Sequence, residues 1–276
     1  MCRLPGVPLT VPLRVAAVTE SHWVSIPPQH PGEVPLRCWW APPSGTPRAG
    51  LLVLPEVFGV NGWVRGVADR LAAAGYGALA LPLFSRTAPA LDLDYSSESL
   101  AEGRSHKERT RAPELLLDLD QARRWLQGSL GSAGAPGAPI GCLGFCFGGH
   151  VALLAASLTG IAATCEFYGA GVASGRPGGG PATLDEVAGV RGRLLCVCGT
   201  EDALIPPPDM AALDQALSAA NAGRQSSGQR PHRLLLVPGG HGFLCDQRAD
   251  HHPESAALAW AEMLTFFGES LGESLG

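Results

Sequence analysis

The sequence is poor in charge and has no surplus of positive charge. Only 16% of its 276 residues are Asp, Glu, Lys or Arg, and 25 acidic against 20 basic residues leave a net charge of −5. No basic stripe is present, which excludes the electrostatic footprint of a nucleic-acid binder. No run of about 18 apolar residues occurs, so no membrane-crossing helix and no membrane partner is expected. The stretch from Met1 to Thr19 carries Arg3, Arg14 and three prolines but no uninterrupted apolar core, and does not read as a signal peptide. Eight cysteines are present, at 2, 38, 142, 146, 165, 196, 198 and 245, and none forms the CxxC spacing of a zinc site. Several lie in apolar stretches, where Cys behaves as a small buried hydrophobe, a usage that suits a reducing cytoplasm. His251-His252 have no accompanying ligand set and read as a solvated helix start. Nothing resembles a phosphate loop, so no metal and no bound cofactor is expected.

What is there is a large potential core: 46% of the residues are hydrophobic, enough for one sizeable α/β domain. Residues 1–33 are Pro-rich and read as an irregular N-terminal arm with one short strand near Val15–Val18. Residues 34–267 alternate strands with helices. Val34–Trp40, Gly50–Pro55, Gly77–Pro82, Pro139–Leu143, Ala162–Tyr168, Arg193–Gly199 and Arg233–Val237 read as strands. Trp63–Ala74, Pro113–Gln127, Pro207–Ala220 and Pro253–Phe267 have helical spacing, and His150–Ala156 continues as an apolar helix. The connection 83–112 is long, with a short helix near Ser97–Lys107; 169–189 is a Gly/Pro-rich loop, and 221–231 reads as mobile. Residues 268–276 repeat Gly-Glu-Ser-Leu and read as a frayed tail. This alternation predicts a mainly parallel central sheet flanked by helices on both faces.

The chemistry gathers at strand ends. Gly144-Phe145-Cys146-Phe147-Gly148-Gly149 stands between a predicted strand and a predicted helix. A nucleophile on such a sharp turn needs small neighbours two positions to either side, and Gly144 and Gly148 supply them. The thiol would meet the N-terminus of the next helix, where free N–H groups and the dipole favour a thiolate and an oxyanion. Glu56, Asp202 and His241 each follow another predicted strand, and in a parallel sheet such ends share one edge. His241 can take and return a proton, and Asp202 can orient its ring, with Glu201 as the competing acid. The order nucleophile, acid, histidine is that of α/β-hydrolases.

On these residues the sequence resembles the dienelactone hydrolase, or carboxymethylenebutenolidase, family. The matching pieces are Pro55-Glu56-Val57-Phe58-Gly59-Val60-Asn61, the Cys146 turn, Gly199-Thr200-Glu201-Asp202 and Gly240-His241-Gly242-Phe243. The resemblance implies an α/β-hydrolase fold and a Cys146, Asp202, His241 triad. It implies that Glu56 contacts the thiol at rest and helps activate it, and that Val57 and Phe147 give the oxyanion-hole N–H groups. It implies that Arg86 helps hold a substrate carboxylate. A second family arginine would stand four positions after the histidine; Cys245 stands there instead, with Arg248 nearby but out of register. The implied activity is cleavage of a small lactone or carboxylic ester, often anionic, through a thioester, by a cytoplasmic monomer or weak homo-oligomer without cofactor. A broader carboxylesterase or thioesterase, a non-catalytic hydrolase-fold binding protein and a redox-responsive thiol protein are the competing readings.

Overall fold

The pure apolar run Gly50–Leu54 is the centre of the sheet in the computed structural model, which describes residues 20–272. Its side chains alternate between two cores. Leu51 and Val53 pack on one face, with Trp63, Val67 and Leu71 and with Met263, Phe266 and Phe267. Leu52 and Leu54 pack on the other, with Leu115, Leu119, Leu126 and Val151. A strand buried on both faces has no polar period, which is why it reads as unbroken hydrophobic sequence.

Eight strands form one sheet: β1 (His22–Ile26), β2 (Leu36–Ala41), β3 (Gly50–Leu54), β4 (Gly77–Ala80), β5 (Ile140–Phe145), β6 (Ile161–Phe167), β7 (Arg193–Gly199) and β8 (Arg233–Val237). Their spatial order is β1-β2-β4-β3-β5-β6-β7-β8. The β1–β2 and β2–β4 pairs are antiparallel and every later pair is parallel. The helices are α1 (Gly62–Ala73), α2 (Ser97–Glu108), α3 (Ala112–Ser132), α4 (Phe147–Ala155), α5 (Pro207–Ser226) and α6 (Pro253–Leu271), with a 3₁₀ turn at Thr183–Gly189. Among the described residues no helix is long and apolar enough to cross a membrane.

Three stretches differ from the sequence reading. The arm expected to be irregular contains β1, an edge strand paired along its length with β2; the strand expected at Val15–Val18 lies outside the described residues. The segment 221–231, expected to be mobile, begins with two more turns of α5. Asn221 holds them by accepting from the His232 N–H at 2.7 Å and donating to the His232 carbonyl at 3.0 Å. The tail expected to fray from 268 is helical through Leu271, which is buried, and Glu269 accepts from Arg193 at 2.7 Å.

Candidate active site

Cys146 has φ 54° and ψ −118°, and among the described residues only it and Tyr168 are non-glycine residues with positive φ. Such backbone costs about 1–3 kcal/mol and persists only where its surroundings enforce it. Here the elbow is enforced by close approach. A Cβ on Gly144 would fall on the Gly148 carbonyl, and one on Gly148 would fall on the carbonyls of Leu54 and Pro55. The turn is thereby pressed against the end of β3, where the chain continues into Glu56 and Val57. Neither the Val57 nor the Phe147 N–H has an acceptor among the described residues.

His241 follows β8 and donates from Nδ1 to Asp202 Oδ2 at 2.8 Å. The second Asp202 oxygen accepts the Leu204 N–H at 2.8 Å, so the carboxylate is fixed at both ends. Asp202 is buried and Glu201 is exposed, which decides between the two acids. The other ring nitrogen, Nε2, is buried and, with Nδ1 taken by Asp202, is the one left to face the Cys146 sulfur. Burial alone would lower the His241 pKa; the Cys146 sulfur and the Asp202 carboxylate together override it and push it up to about 10. The structure thus brings Cys146, His241 and Asp202 together from the ends of three strands.

Glu56 is 1% exposed, and neither of its oxygens is hydrogen-bonded to the thiol. Its Oε1 accepts from Arg248 Nη1 at 2.8 Å, and its Oε2 is buried without a partner. Burial raises the Glu56 pKa, against the pull of Arg248 and His241. Arg248, set aside in the sequence on register, reaches the site because two successive turns curl the chain after the histidine. The Cys245 N–H bonds the Gly242 carbonyl at 2.9 Å and the Arg248 N–H bonds the Cys245 carbonyl at 3.1 Å. Gly242, at φ +88°, leaves room for the guanidinium; a Cβ there would lie 2.6 Å from Arg248 Cζ.

Arg86 is placed elsewhere. Its Nη1 donates to Asp118 on α3 at 2.6 Å and its Nη2 to the Gly32 carbonyl at 2.9 Å. None of its hydrogen bonds or ion pairs reaches Cys146, His241, Glu56 or Arg248. With Asp118 buried among α3 side chains, the guanidinium is a structural counterion in this state.

Two tyrosines were not foreseen. Tyr168, directly after β6, is fully buried and packs edge-on against the His241 ring at 5.3 Å. Its hydroxyl has no partner, and Glu56, Cys245, Arg248 and Cys146 all act on it electrostatically. The Tyr95 hydroxyl is likewise buried and interacts with Glu56, Cys245 and Asn61. The signal for Tyr168 was its place at a strand end, the same signal that marked Asp202. Burial raises the Cys245 thiol to about 11, keeping it a neutral wall. Among the described residues no group of three or more His, Cys, Asp or Glu could hold a metal ion.

Other folds carry these groups in other chain orders; on this sheet the order is thiol, acid, imidazole, and the class is α/β-hydrolase. Comparison with known proteins then gives the family. Residues 36–271 match the dienelactone hydrolase family, and the chain belongs to it as a carboxymethylenebutenolidase-like hydrolase. It is 36% identical over 222 residues to a Synechocystis sp. protein named "Putative carboxymethylenebutenolidase", covering 80% of this chain and 86% of that one. It is 30% identical over 218 residues to a Bradyrhizobium sp. protein named "Probable 2-oxo-3-(5-oxofuran-2-ylidene)propanoate lactonase", covering 78% and 82%. Among solved structures, a Klebsiella pneumoniae protein described as a "Putative Dienelactone Hydrolase" superposes with a TM-score of 0.75 at 28% identity, covering 90% of this chain and 98% of that one.

Proposed function

We propose that the protein hydrolyses a small lactone or carboxylic ester carrying a carboxylate, with Cys146 as nucleophile and a thioester as intermediate. The observation that carries the reading is the His241 ring, bonded to Asp202 through Nδ1 and raised in pKa by the Cys146 sulfur. The ring holds its raised pKa while it faces the sulfur as a thiolate, and is then a general acid; in our reading a different group takes the thiol proton. Glu56 is that group, since burial makes it a stronger base than an ordinary carboxylate. At rest Arg248 occupies it. A substrate carboxylate competes with Glu56 for the guanidinium and frees Glu56 for the sulfur.

The steps then balance. Glu56 takes the Cys146 proton, and the thiolate attacks the carbonyl carbon. The oxyanion is held by the Val57 and Phe147 N–H groups. The carbon–oxygen bond of the lactone breaks as His241 donates its proton to the leaving oxygen. Neutral His241 then takes a proton from water, whose oxygen attacks the thioester. The carbon–sulfur bond breaks, and the departing thiolate recovers its proton from Glu56. The products are a carboxylic acid and an alcohol or enol, in one molecule when the substrate is a lactone. The name of the Bradyrhizobium relative, a lactonase acting on a propanoate, supports an anionic lactone as the substrate class.

Turnover of p-nitrophenyl acetate and of a carboxylate-bearing dienelactone tests the reading. Wild-type protein should hydrolyse the dienelactone, and p-nitrophenyl acetate much more slowly because that ester has no carboxylate to free Glu56 from Arg248. Cys146→Ala and His241→Ala should reduce turnover by roughly a thousandfold or more. Unchanged turnover in either variant would remove its residue from the mechanism.

A further inference from the structure

One buried carboxyl group near the site has no part in these steps. Glu166 is the penultimate residue of β6, the strand between β5, which leads into Cys146, and β7, which leads into Asp202. Its register neighbours are Gly144 on β5 and Cys196 on β7. The residue is 1% exposed. One oxygen accepts the Gly169 N–H, and the other is buried without a partner. Position 169 has to be glycine for this arrangement, because a Cβ there would fall on the carboxyl oxygen and lie 2.7 Å from the His150 backbone nitrogen.

No lysine or arginine neutralises Glu166. The groups acting on it are the Gly169 N–H, the Cys196 thiol, the Asp202 carboxylate and the His241 ring. Glu166 in turn acts on the thiols of Cys165 on its own strand and of Cys196 and Cys198 on β7. A carboxyl group buried in a sheet with one backbone donor, one thiol and no lysine or arginine beside it is costly to keep. An apolar residue would fill the slot between Thr164 and Cys196 more cheaply.

We infer that Glu166 is a positioning residue of the reaction centre, a second carboxyl group behind the Asp202–His241 pair whose own charge governs how firmly His241 holds its proton. Protonated, it leaves Asp202 and the Arg248-paired Glu56 as the carboxylates that act on His241. Ionised, it adds a second negative charge on the same side and favours the imidazolium. Burial pushes the Glu166 pKa up to about 7, so the group changes state near neutral pH.

The inference rests on the triad reading, and its test is chosen to fail separately from it. The rate of Cys146 alkylation by iodoacetamide is measured against pH by mass spectrometry, with no turnover required. The wild-type profile should carry an inflection near neutral pH in addition to the alkaline limb set by His241. In Glu166→Gln that inflection should vanish and the alkaline limb should move down by about one pH unit. A Glu166→Gln profile superimposable on wild type overturns the inference. A His241→Ala profile superimposable on wild type instead overturns the triad. If Glu166→Gln does not fold, Glu166→Asp keeps a carboxyl group in the same cradle and should displace the inflection. Infrared difference spectra of the wild type between acid and alkaline pH should then show a buried carboxyl band lost near neutrality. An undisplaced inflection, or absence of the band, overturns the inference equally.

Discussion

Arg248 Nη1 donates to Glu56 Oε1 at 2.8 Å, closing a buried ion pair between residues 192 positions apart in the chain. The pair joins the loop after β3 to the loop after β8, and it holds the proposed base away from its thiol. Removing the cation should therefore act on stability and on substrate choice together. Arg248→Met leaves Glu56 buried beside Tyr168 and Tyr95 with no counterion, and the carboxyl should take up a proton. The expected cost is about 1–3 kcal/mol, read as a fall in Tm. The kcat/KM should drop for both substrates as Glu56 takes up its proton, and by a further ten- to a hundredfold, roughly, for a carboxylate-bearing lactone, which also loses its partner. Equal losses on both substrates would mean that Arg248 does not receive the carboxylate.

Gly242 lies between His241 and Phe243 and holds φ +88° with the Arg248 side chain across it. Gly242→Ala meets two penalties: a left-handed backbone costing about 1–2 kcal/mol and a Cβ 2.6 Å from Arg248 Cζ. The guanidinium has to move, so the variant should mimic Arg248→Met in its selective loss on anionic substrates. Steady-state kinetics on the two substrate types checks this. A loss confined to Tm, with the substrate ratio unchanged, would show that Arg248 can be displaced without consequence for recognition.

The elbow was legible because close packing of backbone on backbone admits only glycine, and Gly144 and Gly148 state that constraint in letters. Asp202 and His241 were legible because each ends an apolar run, and parallel strands bring such ends together. Arg248 was not, since its approach depends on two turns between 242 and 248 that no spacing rule encodes. Tyr168 read as one more apolar residue of β6, and its unpaired hydroxyl is visible only once the neighbouring loops are in place. The strand β1 escaped notice because its identity comes from pairing with β2, across the Pro-rich residues 27–35. Gly32 and Asp118 lie in separate segments, so the sequence could not show that both engage Arg86.

Arg86 gives a sharp contrast between the two expectations. The family resemblance makes it a substrate clamp, whereas its hydrogen bonds tie α3 to the segment before β2 through Asp118 and Gly32. Burial raises the Asp118 pKa and Arg86 is the main group opposing that rise. Arg86→Met should therefore lower Tm, by an amount corresponding to about 1–3 kcal/mol, because a buried carboxylate loses its partner. The KM for an anionic lactone should stay within about twofold of wild type. A tenfold rise in that KM with Tm unchanged would return Arg86 to the substrate site.

Glu166 also bears on how stability varies with pH, and the sign can be worked out. Its folded-state pKa, about 7, lies above its ordinary value near 4.5. Between those values the folded protein holds a proton on Glu166 that the unfolded chain has released. Stability therefore falls as pH rises through this window and levels off above it, by about 3 kcal/mol for this one group. Glutamine at 166 has no proton to lose, so Glu166→Gln should remove that fall. The difference in unfolding free energy between variant and wild type should then move in favour of the variant from mildly acid to mildly alkaline pH. Urea unfolding at a series of pH values measures the difference directly and cancels the titrations the two proteins share. A difference that stays constant across the window would mean that Glu166 does not change its charge there, and its influence on His241 would go with it.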